Sequence, residues 1–127
     1  KRVMTIFTYL VQADIEDYSL IAIEEPENSV HPRLLQSYLI ALRSLLENAK
    51  LIITSHSPYL INYIDPKNVY LGIPNNIGVA EFKKIKESSI SKVMKDASDM
   101  NMLTGEYLFD LMSGTDDDIE LLKNYME

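Results

Sequence analysis

Two short apolar runs, each ending in polar residues, organise the first half of the chain. Residues 20–23 lead into Glu24 and Glu25, and residues 51–53 lead into Thr54, Ser55 and His56. Apolar runs of this length indicate buried strands. Parallel α/β sheets keep their ligand sites at the carboxyl ends of the strands. The pattern therefore predicts two strands whose polar ends meet at one site.

The segment between these runs has a helical pattern. It begins at Pro32, which suits the first turn of a helix because its missing N–H costs little there, and it continues to about Asn48. A strand, a helix and a second strand form a βαβ unit, which favours parallel strands and a right-handed crossover. The apolar positions that follow the 3.6-residue period are Leu34, Leu35, Tyr38, Leu39, Leu42, Leu45 and Leu46.

The flanking segments complete a mixed α/β pattern. Residues 1–13 have apolar positions at helical spacing, and a short helix is predicted after Pro58. Residues 68–72 and 79–83 read as strands joined by a turn-rich segment, which predicts an antiparallel hairpin at the edge of the sheet.

The C-terminal part of the sequence is acidic and helical in pattern. We predict helices near residues 91–97, over residues 106–112 and after the aspartates 116–118, because negative charge stabilises a helix N-terminus. The expected fold class is α/β, with a mainly parallel sheet, flanking helices and an antiparallel edge hairpin. We expect residues 1–87 to form the α/β core and residues 88–127 a helical acidic extension.

Charge and composition narrow the possible functions. The formal net charge of −7 disfavours a broad nucleic-acid-binding face, so any DNA contact is expected outside this segment. The absence of cysteine is typical of a reducing compartment and excludes thiolate metal sites. No run reaches the ~18 apolar residues of a membrane helix. We expect a cytoplasmic protein without a membrane segment.

The polar strand ends suit nucleotide hydrolysis, in which a protein positions Mg²⁺, orients a water and stabilises charge on the transferred phosphoryl group. Glu24 is the candidate Mg²⁺ ligand, because this hard ion prefers oxygen ligands and keeps much of its water. Glu25 is the candidate general base for the attacking water. His56 is the candidate contact to the γ-phosphate.

Two other chemistries lack their sequence patterns. Neither Ser55 nor Ser57 lies in the G-x-S-x-G turn of a hydrolase nucleophile, and the histidines lack the spacing of a zinc site. Each polar residue taken alone also has an ordinary role as a solvated acid, a turn residue or a helix-start residue. The ordered combination of the motifs supports the nucleotide interpretation.

These motifs resemble those of ABC-type ATPases. Residues 20–25 look like the Walker B segment, residues 28–32 resemble the D-loop, and residues 54–57 resemble the switch-histidine segment. The Glu-Glu-Pro-Glu-Asn and His-Pro details are similar to the non-transporter branch. That branch comprises the AAA-type ABC ATPases grouped with overcoming-lysogenization-defect nucleases, RecF and SMC-like DNA-repair proteins, and many prokaryotic anti-phage defence ATPases.

The resemblance implies ATP and Mg²⁺ as cofactors and a head-to-head dimer that encloses two ATP molecules. Asn28, Ser29 and His31 would then lie in the D-loop at the dimer interface. Residues 1–11 would be the helix after the signature loop, and residues 67–83 the closing strands of the lobe. ATP-driven closure would be passed to an effector such as a nuclease or a DNA-binding arm.

The sequence departs from the family pattern in two places. Glu24 replaces the usual magnesium-binding aspartate and is one methylene longer, and we expect it to serve the same purpose. The chain has four glycines and contains no G-x-x-x-x-G-K-[ST] phosphate-binding loop. We therefore expect the Walker A and signature loops upstream of Lys1 or on a separate polypeptide.

Two alternatives to a hydrolysing ATPase stay open at this point. One is a nucleotide-dependent assembly switch with little turnover, although a pure switch could dispense with Glu25. The other is a TOPRIM-type nuclease, which also uses strand-end acids. A nuclease of this type requires a second acidic pair after another apolar strand, whereas residues 116–118 follow a helix-like stretch.

Overall fold

The computed structural model describes residues 19–46, 49–75 and 77–127, so the predicted helix over residues 1–13 lies outside the described part. Short 3-10 helices lie at Pro26–Ser29 and Pro66–Asn68. The main elements are β1 (Leu20–Glu24), α1 (Pro32–Leu45), β2 (Lys50–Thr54), α2 (Pro58–Ile61), β3 (Tyr70–Pro74), β4 (Ala80–Lys84), α3 (Glu87–Asp99), α4 (Thr104–Ser113) and α5 (Asp116–Tyr125).

The predicted α/β class is confirmed, with a parallel strand pair, an antiparallel hairpin and a helical C-terminus. The chain divides into two compact units, Lys1–Leu60 and Ile61–Glu127. The hairpin is therefore in the same unit as the C-terminal helices. The separate prediction of a functional boundary near residue 87 stays a prediction.

The first unit contains the predicted βαβ arrangement. β1 and β2 pair in parallel, with Leu20 opposite Lys50 and Glu24 opposite Thr54. The crossover helix α1 turns an apolar stripe inward, as expected for residues three and four positions apart. Among the described residues of this unit, the buried hydrophobic side chains are Ile23, Val30, Leu35, Tyr38, Leu42, Leu46 and Leu60.

The strands are less buried than their uninterrupted apolar sequence predicts. Ile23 is only 9% exposed, whereas Leu20 and Ile52 are 51% and 52% exposed. Successive side chains of a strand point to opposite faces of the sheet. In the described part of the chain, the prediction of buried strands is therefore correct for the Ile23 side of β1 but wrong for the Leu20 and Ile52 positions.

The hairpin forms a two-stranded sheet of its own, in which Tyr70 pairs with Lys84 and Pro74 with Ala80. β3 begins two residues later than predicted because Asp65 accepts a hydrogen bond from the backbone N–H of Lys67 and holds residues 66–68 in a 3-10 turn. At the other end, Gly78 adopts a φ of 79°, in the left-handed region that glycine tolerates.

The second unit has its core between the hairpin and the three C-terminal helices. α3 is longer than the predicted 91–97, because its first turn begins at Glu87, where a negative charge is favourable. The aspartates 116–118 form the first turn of α5, as predicted. The buried core residues are Val69, Leu71, Ile73, Ile85, Val93, Ala97, Tyr107, Leu108, Leu111, Leu122, Tyr125 and Met126.

Candidate active site

The polar ends of β1 and β2 meet at one edge of the parallel pair, as the sequence predicts. Glu24 is in register with Thr54, and the backbone N–H of Glu25 donates to the Thr54 carbonyl at 2.9 Å. Because this bond extends the strand pairing by one residue, the segments that follow the strands start side by side. The Walker B-like and switch-histidine-like segments are therefore adjacent.

Glu25 leaves the strand in an unusual backbone conformation. Its φ of 44° and ψ of 57° lie in the left-handed region, which costs a non-glycine residue about 1–2 kcal/mol. Pro26 follows immediately, and a proline disfavours the right-handed helical conformation in the residue before it. The chain thus turns sharply at Glu25 before the 3-10 helix begins.

The Glu25 carboxylate has a partner on each oxygen. Oε1 lies 3.2 Å from Nε2 of His56, and Oε2 accepts a hydrogen bond from the side-chain amide of Asn28. The Asn28 backbone N–H also donates to the Glu25 carbonyl at 3.1 Å. The Glu25 side chain is 35% exposed and that of His56 is 91% exposed. The structure therefore brings together Glu25, His56 and Asn28 at a solvent-accessible edge.

The other two D-loop positions lie nearby in sequence but have different surroundings. The backbone of Ser29 ends the 3-10 helix Pro26–Ser29. His31 is exposed and caps α1, since its Nδ1 accepts a hydrogen bond from the Arg33 backbone N–H at 3.3 Å. An oxygen or nitrogen acceptor at this position satisfies one of the free N–H groups of the first turn. His31 thus has a structural role in this chain, and its predicted place in a dimer interface stays a prediction.

Glu27 joins the two segments, a connection that the sequence pattern does not predict. Its Oε1 accepts hydrogen bonds from the Ser55 hydroxyl at 2.5 Å and from the His56 backbone N–H at 3.1 Å. The Ser55 oxygen in turn accepts from the Ser57 backbone N–H at 2.9 Å. Two features of the sequence point to this contact. One is the third carboxylate of Glu-Glu-Pro-Glu, and the other is the loop after β2, whose N–H groups need acceptors.

Glu24 has the position and chemistry expected of a magnesium ligand. Its side chain is exposed at the end of β1, beside Thr54 on β2. Across the described residues, no group of three or more acidic or histidine side chains is arranged to bind a metal ion. A single carboxylate fits Mg²⁺, which retains several waters and takes its other ligands from substrate phosphates.

The acidic triplet Asp116–Asp118 does not supply the second metal-binding pair of a nuclease. These residues begin α5, and the Asp118 carboxylate accepts hydrogen bonds from the backbone N–H and hydroxyl of Thr115 at 2.8 Å and 2.7 Å. The triplet thus starts a helix instead of following a strand. This removes the sequence feature that a TOPRIM-type nuclease would require.

A family model matches the N-terminal part of the chain. Residues 1–62 match the family model described as "AAA domain, putative AbiEii toxin, Type IV TA system". The match supports an AAA-type ATPase domain and contains all the site residues discussed above. No solved structure matches the chain. Within the described residues, none of the helices has the length and apolar character needed to cross a bilayer.

Proposed function

We propose that this chain supplies the hydrolytic edge of a non-transporter ABC-type ATPase head. The observation that supports this most strongly is the Glu25 carboxylate, which contacts His56 on one oxygen and Asn28 on the other. Three motifs that resemble Walker B, the switch histidine and the D-loop thus meet around one acid. An ordinary solvated glutamate would not require contacts from two other segments.

The roles of the residues follow from their positions. Glu25 takes the proton of the attacking water, and His56 donates to an oxygen of the γ-phosphate as charge develops there. Glu24 holds Mg²⁺, which neutralises phosphate charge when it is bound. Because the chain contains no phosphate-binding loop motif, a Walker A segment in cis or in trans completes the site.

The contacts of Glu25 also indicate what ATP binding has to change. Each Glu25 oxygen has one partner and keeps a lone pair for a water, but the N–H at Nε2 of His56 cannot serve Glu25 and a γ-phosphate at the same time. The imidazole of His56 is the partner that can leave, since its side chain is 91% exposed. ATP would then draw Nε2 from Glu25 to the γ-phosphate and leave Oε1 of Glu25 open to the attacking water.

The assembly that we propose follows the family resemblance. Two heads pair as a homodimer or higher oligomer, with Asn28, Ser29 and His31 at the interface. Their closure drives or gates a DNA-repair or anti-phage defence complex, with a nuclease or other effector as the partner. The cytoplasm is the proposed compartment.

The second candidate function is a nucleotide-dependent assembly switch with little turnover. The contact between Glu25 and His56 supports it, because an imidazole N–H that is held by Glu25 is not available to a γ-phosphate until that contact opens. Turnover of the complete ATPase decides between the two functions. If the complete ATPase hydrolyses almost no ATP even when its effector is present, the switch is favoured.

His56→Ala tests the proposed function. We expect ATP turnover of the complete ATPase to fall strongly, because the γ-phosphate loses a donor. ADP affinity and melting temperature should change little, since ADP lacks that phosphate and the imidazole is largely exposed. Steady-state kinetics, ADP titration and thermal unfolding provide the measurements.

The opposite result would identify His56 as a packing residue. In that case turnover would be unchanged and the melting temperature would fall by several degrees, as a loss of about 1 kcal/mol produces in a domain of this size.

A further inference from the structure

We propose that Glu27 is a positioning residue, which holds the histidine loop against the strand end so that His56 reaches Glu25. The proposal rests on the proposed ATPase function and concerns a residue outside the proposed catalytic and magnesium-binding set. Its basis is the pair of contacts that Glu27 Oε1 accepts from Ser55 and His56.

The contacts place Glu27 where it controls the backbone of His56 directly. One oxygen accepts from the His56 N–H itself and from the hydroxyl of the residue before it. Hydrogen bonds to an ionised carboxylate are shorter and about twice as strong as neutral ones. Ser55 lies 28 positions after Glu27 in the sequence, so this is a tertiary connection between the two loops.

Without this connection, little in the described contacts would fix the imidazole. The His56 side chain is 91% exposed, and among the described residues its polar partner is Glu25, whose Oε1 lies 3.2 Å from Nε2. An exposed side chain on a short loop depends on its backbone for its position. A catalytic group displaced by about 1 Å can lose about 100-fold in rate.

The second carboxylate oxygen of Glu27 lowers the stability of the folded chain. Oε2 is buried and has no hydrogen-bond partner among the described residues. A buried polar atom without a partner costs free energy, so an apolar residue or a smaller polar one would be a less demanding choice for packing alone. The two hydrogen bonds that Oε1 accepts give this carboxylate a role in holding the loop.

The test is a double-mutant cycle on ATP turnover by the complete ATPase, with Glu27→Ala and His56→Ala. Glu27→Ala should lower kcat about 10- to 100-fold with little change in KM for ATP. In the His56→Ala background the same change should lower kcat by less than about 3-fold, because Glu27 acts through His56. Equal factors in both backgrounds, or no effect in either, would overturn the proposal.

Three further variants separate positioning from loss of fold or charge. Glu27→Gln keeps a carbonyl acceptor and should retain most of kcat, and Ser55→Ala removes one of the two donors and should give an intermediate rate. Glu81→Ala, which removes an exposed carboxylate from the hairpin, is the control and should behave as wild type. A Glu27→Gln rate as low as that of Glu27→Ala would contradict the anchoring role.

Amide hydrogen exchange of the 127-residue chain tests the anchor without ATP. The His56 N–H should exchange at least about tenfold faster in Glu27→Ala than in wild type, while the Glu25 N–H, bonded to Thr54, should be unchanged. If the wild-type chain shows this protection but the complete ATPase hydrolyses no ATP, the ATPase proposal fails and the anchor stands. If the complete ATPase has normal turnover but the His56 N–H exchanges equally fast in Glu27→Ala and in wild type, the anchoring role is wrong and the ATPase proposal stands.

Discussion

Glu25 combines an unusual backbone conformation with the proposed role of general base. Residues held in sparsely populated backbone regions cost free energy and cluster at active sites. The left-handed conformation turns the chain away from the direction of β1, and the side chain then reaches both Asn28 and His56. The proposed base is therefore oriented by a turn, which the apolar pattern of the strand does not specify.

The sequence predicts which residue types gather at the site but not how they contact each other. Glu24, Glu25 and His56 follow apolar runs, and that pattern places them at strand ends. The Glu27 contacts with Ser55 and His56 depend on the path of two loops, which no periodicity specifies. His31 likewise has the role of a helix cap, because its position relative to Arg33 is set by the local turn.

Asp118 supplies a prediction about pH. Hydrogen bonds from the side chain and backbone of Thr115 lower the pKa of this carboxyl below its usual range. A lowered pKa in the folded state stabilises the protein above the unfolded-state pKa, and that stability is lost as pH falls through the folded-state pKa. Wild type should therefore be more stable than Asp118→Asn at pH 7, and the difference should disappear in acid.

Urea denaturation of both proteins between pH 7 and pH 2 measures this difference. Asp117→Asn is the matched control, because it removes one charge from the same helix turn and keeps the Thr115 contacts. The interpretation requires a larger pH dependence for Asp118→Asn than for Asp117→Asn. Identical curves would show that the cap contacts do not affect the ionisation of Asp118.

At the scale of elements, long apolar patterns are more informative than turns. β1, β2 and α1 were predicted within a few residues, because each is an uninterrupted run or a regular stripe. The start of β3 was predicted two residues too early, since a cap from Asp65 holds the preceding residues in a turn. The sequence shows only an Asp-Pro pair at this point, and the pair alone does not indicate how many residues the turn takes before the strand begins.

Helix α5 offers a direct test of the second core. Leu122 is completely buried, whereas its neighbour Leu121 is 36% exposed. Leu122→Ala should lower the free energy of unfolding by about 3 kcal/mol, because it removes buried methyl groups and leaves a cavity. Leu121→Ala should cause a much smaller loss.

Urea denaturation of the two leucine variants provides the measurement. Both substitutions are Leu→Ala in the same helix, so they change helix propensity equally and differ in the burial of the side chain. Equal losses for the two substitutions would mean that α5 does not pack with its Leu122 face inward.

At the scale of the whole molecule, the proposed machinery lies in the first unit, which also contains most of the 1–62 family match. The second unit has its own core and none of the proposed site residues. The sequence predicted its helices but not its packing with the hairpin, because that packing depends on contacts between distant segments.

The most direct test of the central claim is ATP turnover by the complete ATPase carrying Glu25→Gln. The amide keeps the shape of the side chain and cannot act as a base, so kcat should fall about 100-fold or more while ATP binding persists and ATP-bound dimers accumulate. Glu81→Gln, on the exposed hairpin, is the matched control and should hydrolyse ATP at the wild-type rate. Wild-type turnover by Glu25→Gln would contradict the account, because Glu25 would then not be the base.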